Sequence, residues 1–336
     1  MKLLKLFISL FFICQLQAQK SDFIHLDFTK ADSVAMAYKN NDIKNLPKLA
    51  YNLTNNLETN AEKFRAIYFW VATNIANDYD LQDLHDAKLN RFKSNSIKLN
   101  KWIKTFKPKL FKNLLKHNKT ICTGYAYIIK ELCYFANLKC KIIHGFGRSS
   151  LTDVENFNTP NHSWNAVFLN NKWYLVDVTW ASGTQDLITM DFRFNYSDGY
   201  FFTEPKLFAK THYPLDKKWL LLGNETYTFN FFLNEAIIYR NGYEKLNQLI
   251  SPKQMHSYLS TKDDAIFKFT LNKNTTKADF YLVVDNGYQS ERTQVKPILI
   301  ENNKITLKHK FKTPGFYDVH LFIKNDLVAT YTFKVR

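Results

Sequence analysis

Three residues of the chain have the types and the spacing that thiol chemistry needs. Cys122 stands in Thr120-Ile121-Cys122-Thr123-Gly124-Tyr125-Ala126, at the start of an apolar-periodic helical stretch. Forty residues later comes His162, in Asn161-His162-Ser163-Trp164-Asn165-Ala166-Val167. Asp177 follows fifteen residues after that, in Val176-Asp177-Val178-Thr179-Trp180. A cysteine is a nucleophile only as its thiolate. A helix N-terminus and a neighbouring imidazolium both favour that anion. His162 is the candidate base, and Asp177 the candidate for fixing its tautomer and stabilising its charged form. The chemistry such a set performs is acyl transfer. The sulfur attacks a carbonyl, a thioester forms, and water or an amine resolves it. Gly124 leaves room for a substrate or a neighbouring backbone beside the sulfur. The backbone N–H of Cys122, with one side chain that the sequence does not place, would hold the oxyanion.

These residues need elements to bring them together. Tyr125, Ile128, Ile129, Leu132 and Phe135 give one buried side to a helix over Gly124–Ala136. Lys139–Phe146 reads as a strand, followed by a polar loop over Gly147–Pro160. His162–Leu169 and Lys172–Trp180 read as two strands joined at Asn170-Asn171, residues that tolerate positive φ in a two-residue hairpin. In that register Leu169 faces Lys172, Trp164 faces Asp177 and His162 faces Thr179. His162 and Asp177 then share a face as diagonal neighbours, with backbones roughly 7 Å apart. Upstream, Phe64, Ile67, Val71 and Ile75 mark one helical face, opened by a Thr59–Glu62 capping box. Trp70 on that helix is either a core aromatic or a residue leaning into the site. His85, His117, His144 and His212 have no matching partners in the sequence. No His-x-x-x-His or Cys-x-x-Cys occurs, so neither a metal nor another cofactor is expected.

At 336 residues the chain has room for more than one domain. Residues 1–18 read as a secretory signal: Lys2 and Lys5, then the apolar run Leu6–Ile13, then Ala18. A lipid anchor on Cys14 is the alternative, and either way the protein is expected to be exported. No later window is apolar enough to span a membrane. Cys133 and Cys140 are either a local bridge or two small buried hydrophobes, which leaves Cys122 as the odd thiol. The formal net charge is +16, and eleven of those charges fall in Ala87–Lys119, which holds ten lysines, one arginine and no acid. Apolar residues there keep a rough helical period, interrupted at Pro108. Lys98, Lys101, Lys104 and Lys107 form either a solvated face or a positive rim that attracts an anionic surface polymer. No nucleic-acid-reading motif accompanies them. Residues 19–55 form a helical lead, and 223–262 a connector. From 263 to 336 the period becomes two, and six or seven short strands indicate an all-β sandwich.

The three motifs around Cys122, His162 and Asp177, the last extended to Trp173–Trp180, resemble the core motifs of the transglutaminase-like superfamily. Lys63–Ile75, with Arg65-Ala66-Ile67 and Trp70, resembles the helix that precedes that core. Tyr200–Leu222 is similar to the tail of the branch that holds kyphoscoliosis peptidase and the transglutaminase-like cytokinesis proteins. The resemblance implies an α+β, papain-like transglutaminase core over residues 56–222, with a helix-borne cysteine packed on an antiparallel sheet. An Ig-like sandwich would follow it. It assigns Cys122 as nucleophile, His162 as base and Asp177 as third member, and it suggests oxyanion or substrate-side roles for Trp70, Gly124 and Trp164. The lysine-rich segment 87–119 is an insertion relative to the family pattern. The expected function is a cysteine-dependent acyl-transfer enzyme acting on peptide or protein substrates, as a peptidase or amidase rather than a cross-linker. The alternative is a catalytically retired scaffold that binds a partner or an envelope surface.

Overall fold

The computed structural model describes residues 19–39, 41–186, 188–223, 226–272, 279–301 and 303–336. The secretory signal expected over residues 1–18, with Cys14, lies outside them, as does Asn302 of the hairpin turn that Asn302-Asn303 suggests. Three helices open the chain: α1 (Thr29–Ala37), α2 (Leu46–Thr54) and α3 (Asn60–Asn74). The third carries the expected apolar face, and Phe64, Ile67, Trp70 and Val71 are fully buried. Its capping box forms: the Thr59 hydroxyl accepts from the Glu62 N–H at 3.2 Å, and the Glu62 carboxylate accepts from the Thr59 N–H at 2.9 Å. Thr59→Ala should cost about 1 kcal/mol in chemical denaturation, the usual worth of an N-cap side chain.

A short strand β1 (Ala76–Asn77) leads into α4 (Tyr79–Phe92) and α5 (Ser96–His117), and β2 (Lys119–Thr120) returns parallel to β1. The lysine-rich segment is thus most of a helical hairpin. Pro108 does not interrupt α5. It removes one backbone bond, but buried Phe106, Leu110 and Leu114 anchor the helix on both sides of it. Helix α6 (Cys122–Phe135) follows directly.

The core sheet has the order β5-β4-β3-β8 and is antiparallel throughout. Its strands are β3 (Lys139–Gly147), β4 (His162–Leu169), β5 (Lys172–Val176) and β8 (His212–Pro214). Between β5 and β8 lie α7 (Val178–Ser182), the hairpin of β6 (Gly183–Gln185) and β7 (Phe192–Phe194), and α8 (Pro205–Phe208). Then come α9 (Phe229–Leu233), β9 (Ile237–Ile238) and α10 (Arg240–Lys245). Helix α6 packs on β3 and β4 and against α3, so the fold is α+β, with the cysteine-bearing helix on the sheet. All three described cysteines are free, and Cys133 and Cys140 form no bridge.

The C-terminal part is all β. One sheet has the order β10-β12-β16-β15, and the other β11-β18-β17-β13-β14 with β9 beside β18. These are β10 (Leu246–Ser251), β11 (His256–Leu259), β12 (Ala265–Leu271), β13 (Phe280–Asp285), β14 (Ser290–Gln294), β15 (Leu299–Glu301), β16 (Lys304–His309), β17 (Gly315–Ile323) and β18 (Asp326–Val335). Ala265, Phe267, Phe269 and Leu271 alternate inward, as a period of two requires. The sheets reach back to Ile237, into the stretch 223–262 expected to be a connector. Register shifts between Leu246 and Gln248 and between Leu249 and Ser251 break the alternation there, which hides β10 from a pattern search. Among the described residues, no helix is long and apolar enough to cross a membrane.

Candidate active site

Cys122 is the first residue of α6, and its N-cap, Ile121, offers no side-chain cap. The N–H groups of a helix's first turn have no intrahelical acceptors, so those at Cys122 and Thr123 are left as donors beside the sulfur. The thiol is mostly buried. Its sulfur lies 4.0 Å from the carbonyl oxygen of Asn161 and lines one cleft with His162. Gly124 has a reason other than substrate access. A Cβ on it would lie 1.9 Å from the Thr120 hydroxyl oxygen, so what approaches the glycine is the Thr120 side chain. Gly124→Ala should therefore destabilise the start of α6 and lower the melting temperature by several degrees.

The hairpin that carries the other two residues forms at the expected register. Leu169 pairs with Lys172 and Asn165 with Val176, and Asn170 and Asn171 turn the chain with φ of 47° and 62°. The second strand is shorter than expected and ends at Val176. Asp177 is the N-cap of α7, so Thr179 and Trp180 are helical and His162 does not pair with Thr179. The carboxylate itself causes this. Its Oδ1 accepts the backbone N–H groups of Thr179 at 2.8 Å and Trp180 at 3.1 Å, which turns the chain into a helix. Oδ2 accepts from His162 Nε2 at 2.7 Å. The expected meeting of His162 and Asp177 therefore occurs, at a strand end and a helix cap rather than across two strands. With Nε2 taken, Nδ1 is the ring nitrogen left for Cys122.

A residue the sequence did not reveal completes this cluster. His212, expected to lack partners, is buried on β8 and places its Nε2 3.0 Å from the same Asp177 oxygen. Its neighbour in space is 35 residues away in sequence, and the irregular run between β5 and β8 gives no period by which to bring them together. Burial pushes the Asp177 carboxyl up, but the charge and hydrogen bond of His162 and the hydrogen bond of His212 outweigh it, and the group is held well below the usual carboxylate range. Burial disfavours protonation of His162, yet the Asp177 charge and hydrogen bond, with Cys122 adding to them, push it up to about 10. Burial dominates at His212 and brings it down to about 4. At neutral pH the cluster is an imidazolium–carboxylate pair with a second, neutral imidazole.

His162 Nε2, His212 Nε2 and Asp177 Oδ2 lie within 4.8 Å of one another, the one group of potential metal ligands among the described residues. Both histidines lie at hydrogen-bond distance from the same carboxylate oxygen.

Cys122 and His162 open onto a cleft of about 400 Å³, walled by Trp180, Tyr200, Tyr239, Arg240 and the start of the 148–161 loop. Trp180 stacks on the His162 ring with centroids 5.0 Å apart. Tyr79 and Gln82 of α4 contribute to the same wall, so the hairpin that carries the basic segment builds one side of the cleft. Lys98, Lys101, Lys104 and Lys107 lie on α5, exposed and away from it. A larger hollow, about 710 Å³, sits near Trp173 and Leu220 and has no cysteine or histidine in its wall. Trp70 does not reach the cleft. It is fully buried, and its indole N–H donates to the Tyr38 carbonyl at 2.8 Å, tying α3 to the end of α1. Trp164 is buried under the histidines, its ring 6.0 Å from that of His162 and 5.2 Å from that of His212, and it supports the site from beneath.

The sequence that carries these residues is similar to known proteins. The model of the transglutaminase-like superfamily matches residues 47–178, which hold Cys122, His162 and Asp177. Residues 47–178 form a transglutaminase-like domain. The chain is 33% identical to human kyphoscoliosis peptidase over 179 residues, 53% of this chain and 24% of that protein. It is 28% identical to mouse kyphoscoliosis peptidase over 68% of this chain and 33% of that protein. Hillarin of Drosophila melanogaster is 26% identical over 59% of this chain and 23% of that protein. The kyphoscoliosis peptidase-like branch is thereby supported, and the chain spans a third or less of the length of these relatives. Among solved structures, the Lin-41 filamin domain aligns with 26% of this chain and 90% of that one at 11% identity and a TM-score of 0.21, too slight a likeness to argue from.

Proposed function

We propose that this transglutaminase-like chain is a cysteine-dependent acyl-transfer enzyme that cleaves peptide or amide bonds. The observation that carries the reading is the His162–Asp177 pair, bonded through Nε2 at 2.7 Å, with His162 and Cys122 lining one cleft. The Cys122 thiolate attacks the carbonyl carbon, a C–S bond forms, and the carbonyl electrons move to oxygen. The N–H groups at the start of α6 hold that oxyanion. His162 gives its proton to the leaving amine as the C–N bond breaks, which leaves a thioester. Water then passes a proton to His162 and attacks, the C–S bond breaks, and the acid leaves. Water is favoured over an amine because nothing in the cleft marks an amine site, and two relatives carry the name peptidase.

The test is to trap the thioester. The protein is incubated with a mixture of peptides and activated esters, quenched in acid and mapped by mass spectrometry. An acyl adduct on Cys122, lost in Cys122→Ala, is the expected result. No adduct on Cys122 with any donor would overturn the reading in favour of a binding scaffold.

Two further parts of the proposal concern where the protein works. The apolar leader supports export, which N-terminal sequencing of the protein recovered outside the cytoplasm would check. The exposed stripe of Lys98, Lys101, Lys104 and Lys107 supports attraction to an anionic surface polymer. Deleting the segment is a poor test, because Phe106, Leu110 and Leu114 are core residues. Changing the four lysines to serine should lower the salt needed to elute the protein from a polyanion column and leave its folding intact. Unchanged elution would remove this part.

A further inference from the structure

His212 is a buried histidine that the reaction above does not use, and the direction of its bonds to Asp177 and Thr211 follows from the charge of the carboxylate. Asp177 is ionised and can only accept, so His212 Nε2 carries the proton of the 3.0 Å bond. A neutral imidazole then has an acceptor at Nδ1, which lies 3.0 Å from the Thr211 hydroxyl. That hydroxyl donates to Nδ1, so its oxygen accepts from the next group along, the Tyr243 hydroxyl on α10. The chain runs Tyr243 to Thr211 to His212 to Asp177. At its end the carboxylate is fully occupied, with two backbone N–H groups on Oδ1 and two imidazoles on Oδ2. The His212 ring is held in plane against Phe208, centroids 3.8 Å apart, and packs on Trp180 at 4.5 Å. It does not line the cleft.

We propose that His212 is a positioning residue for the nucleophile's base: a neutral second donor that fixes Asp177 Oδ2 and moderates its pull on the His162 proton. The inference rests on the acyl-transfer reading for its consequence, since His162 must release that proton to the leaving group. A carboxylate with one donor fewer binds the remaining imidazolium more tightly. Without His212, His162 keeps its proton to higher pH and is a poorer acid in the step that breaks the C–N bond. The other titratable groups around the pair are Cys122 on α6 and the tyrosines Tyr68, Tyr125, Tyr200 and Tyr243. Burial raises all four tyrosines above the ordinary phenol range, so they stay neutral where His162 titrates. The nearby cations Arg148 and Arg240 are held on backbone carbonyl oxygens, Arg148 on Phe232 at 3.1 Å and Arg240 on Ala181 at 3.0 Å.

The test compares His212→Phe, which keeps the stacked ring and removes the donor, with His212→Gln, which keeps an N–H near the same place. In full-length protein labelled with ¹⁵N-histidine, the titration midpoint of His162 is read by NMR. His212→Phe is expected to raise it by at least half a pH unit, roughly a threefold gain in proton affinity, and His212→Gln to restore most of the difference. Equal midpoints in wild type and His212→Phe, or a shift in His212→Gln as large as in His212→Phe, would overturn the proposal. Should His212→Phe fail to fold, Thr211→Val removes the donor to Nδ1 and leaves the ring, with a smaller shift in the same direction expected and no shift counting against it. Failure of the acyl-transfer reading is visible separately, as an acyl-donor map with no adduct on Cys122, and leaves the His162 titration interpretable.

Discussion

Asp177→Asn is expected to lower the reactivity of Cys122 and any turnover by about four orders of magnitude, the drop known where an asparagine imposes the wrong tautomer on a triad histidine. The local geometry dictates how. The backbone N–H groups of Thr179 and Trp180 keep an oxygen at Oδ1, so the introduced amide nitrogen takes the place of Oδ2. It then presents protons to both His162 and His212. Each ring must become an acceptor at Nε2, and His162 carries its proton on Nδ1, on the side of Cys122, with no charge to stabilise a thiolate. The midpoint of His162 should fall from about 10 toward the ordinary histidine value. The same shift has a consequence for stability. A histidine raised in the folded state stabilises it fully below its unfolded value of about 6.5, and that contribution is lost as pH rises toward the folded value. Asp177 is depressed, so its contribution is present above about pH 4 and is lost on acidification. Urea denaturation at pH 6, 8 and 10 should show the wild-type advantage over Asp177→Asn shrinking across that series. An advantage that grows with pH would contradict the charge assignment.

The second large effect is expected far from the cleft, at Arg65. This guanidinium is buried on α3 and donates to Asp32 at 2.6 and 2.8 Å and to Asp198. It also lies over the rings of Phe201 at 4.8 Å and Phe69 at 5.5 Å. It ties the lead helix α1 and the segment after β7 to the central helix. Arg65→Met fits the volume but leaves Asp32 without its cation and Asp198 with Lys20 alone. Breaking a buried pair costs about 3–5 kcal/mol. Both carboxylates keep some contact with water, so about 2–4 kcal/mol is expected here. Burial raises the Asp198 carboxyl, but Lys20 and Arg65 hold it below the usual range. Its stabilising share is therefore present above about pH 4 and lost as pH falls. The Arg65→Met defect should shrink in acid, and Asp32→Asn in the same chain should recover part of it at pH 7. Denaturation midpoints measure both.

What was legible in the sequence was what rests on local periodicity. The helix with Phe64, Ile67 and Val71 and its Thr59 cap stood out because a 3.6-residue period and a capping box are local patterns. The Asn170-Asn171 turn fixed the register of β4 and β5, and with it the face that His162 occupies. The end of β5 was not legible, because Asp177 acts as a helix cap through a side-chain bond that no hydropathy pattern records. Pro108 was read as a break because local propensity was weighed without the packing of Phe106 and Leu110 around it. The sequence leaves Trp70 open between a core aromatic and a site residue, and only the tertiary structure shows its indole turned toward Tyr38. His212 was the largest omission. Its partner lies on another element, and only the fold brings β8, paired with β3, within reach of Asp177.

The central claim is that His162 and the start of α6 hold Cys122 ready as a nucleophile, and the rate at which iodoacetamide modifies each cysteine tests it most directly. Tryptic mapping after short exposures at pH 6 to 7 gives separate rates for Cys122, Cys133 and Cys140. Cys122 is expected to react at least a hundredfold faster than the other two, and to lose most of that advantage in His162→Ala. A Cys122 that labels no faster than Cys133 or Cys140, or one whose rate is unchanged in His162→Ala, would contradict it.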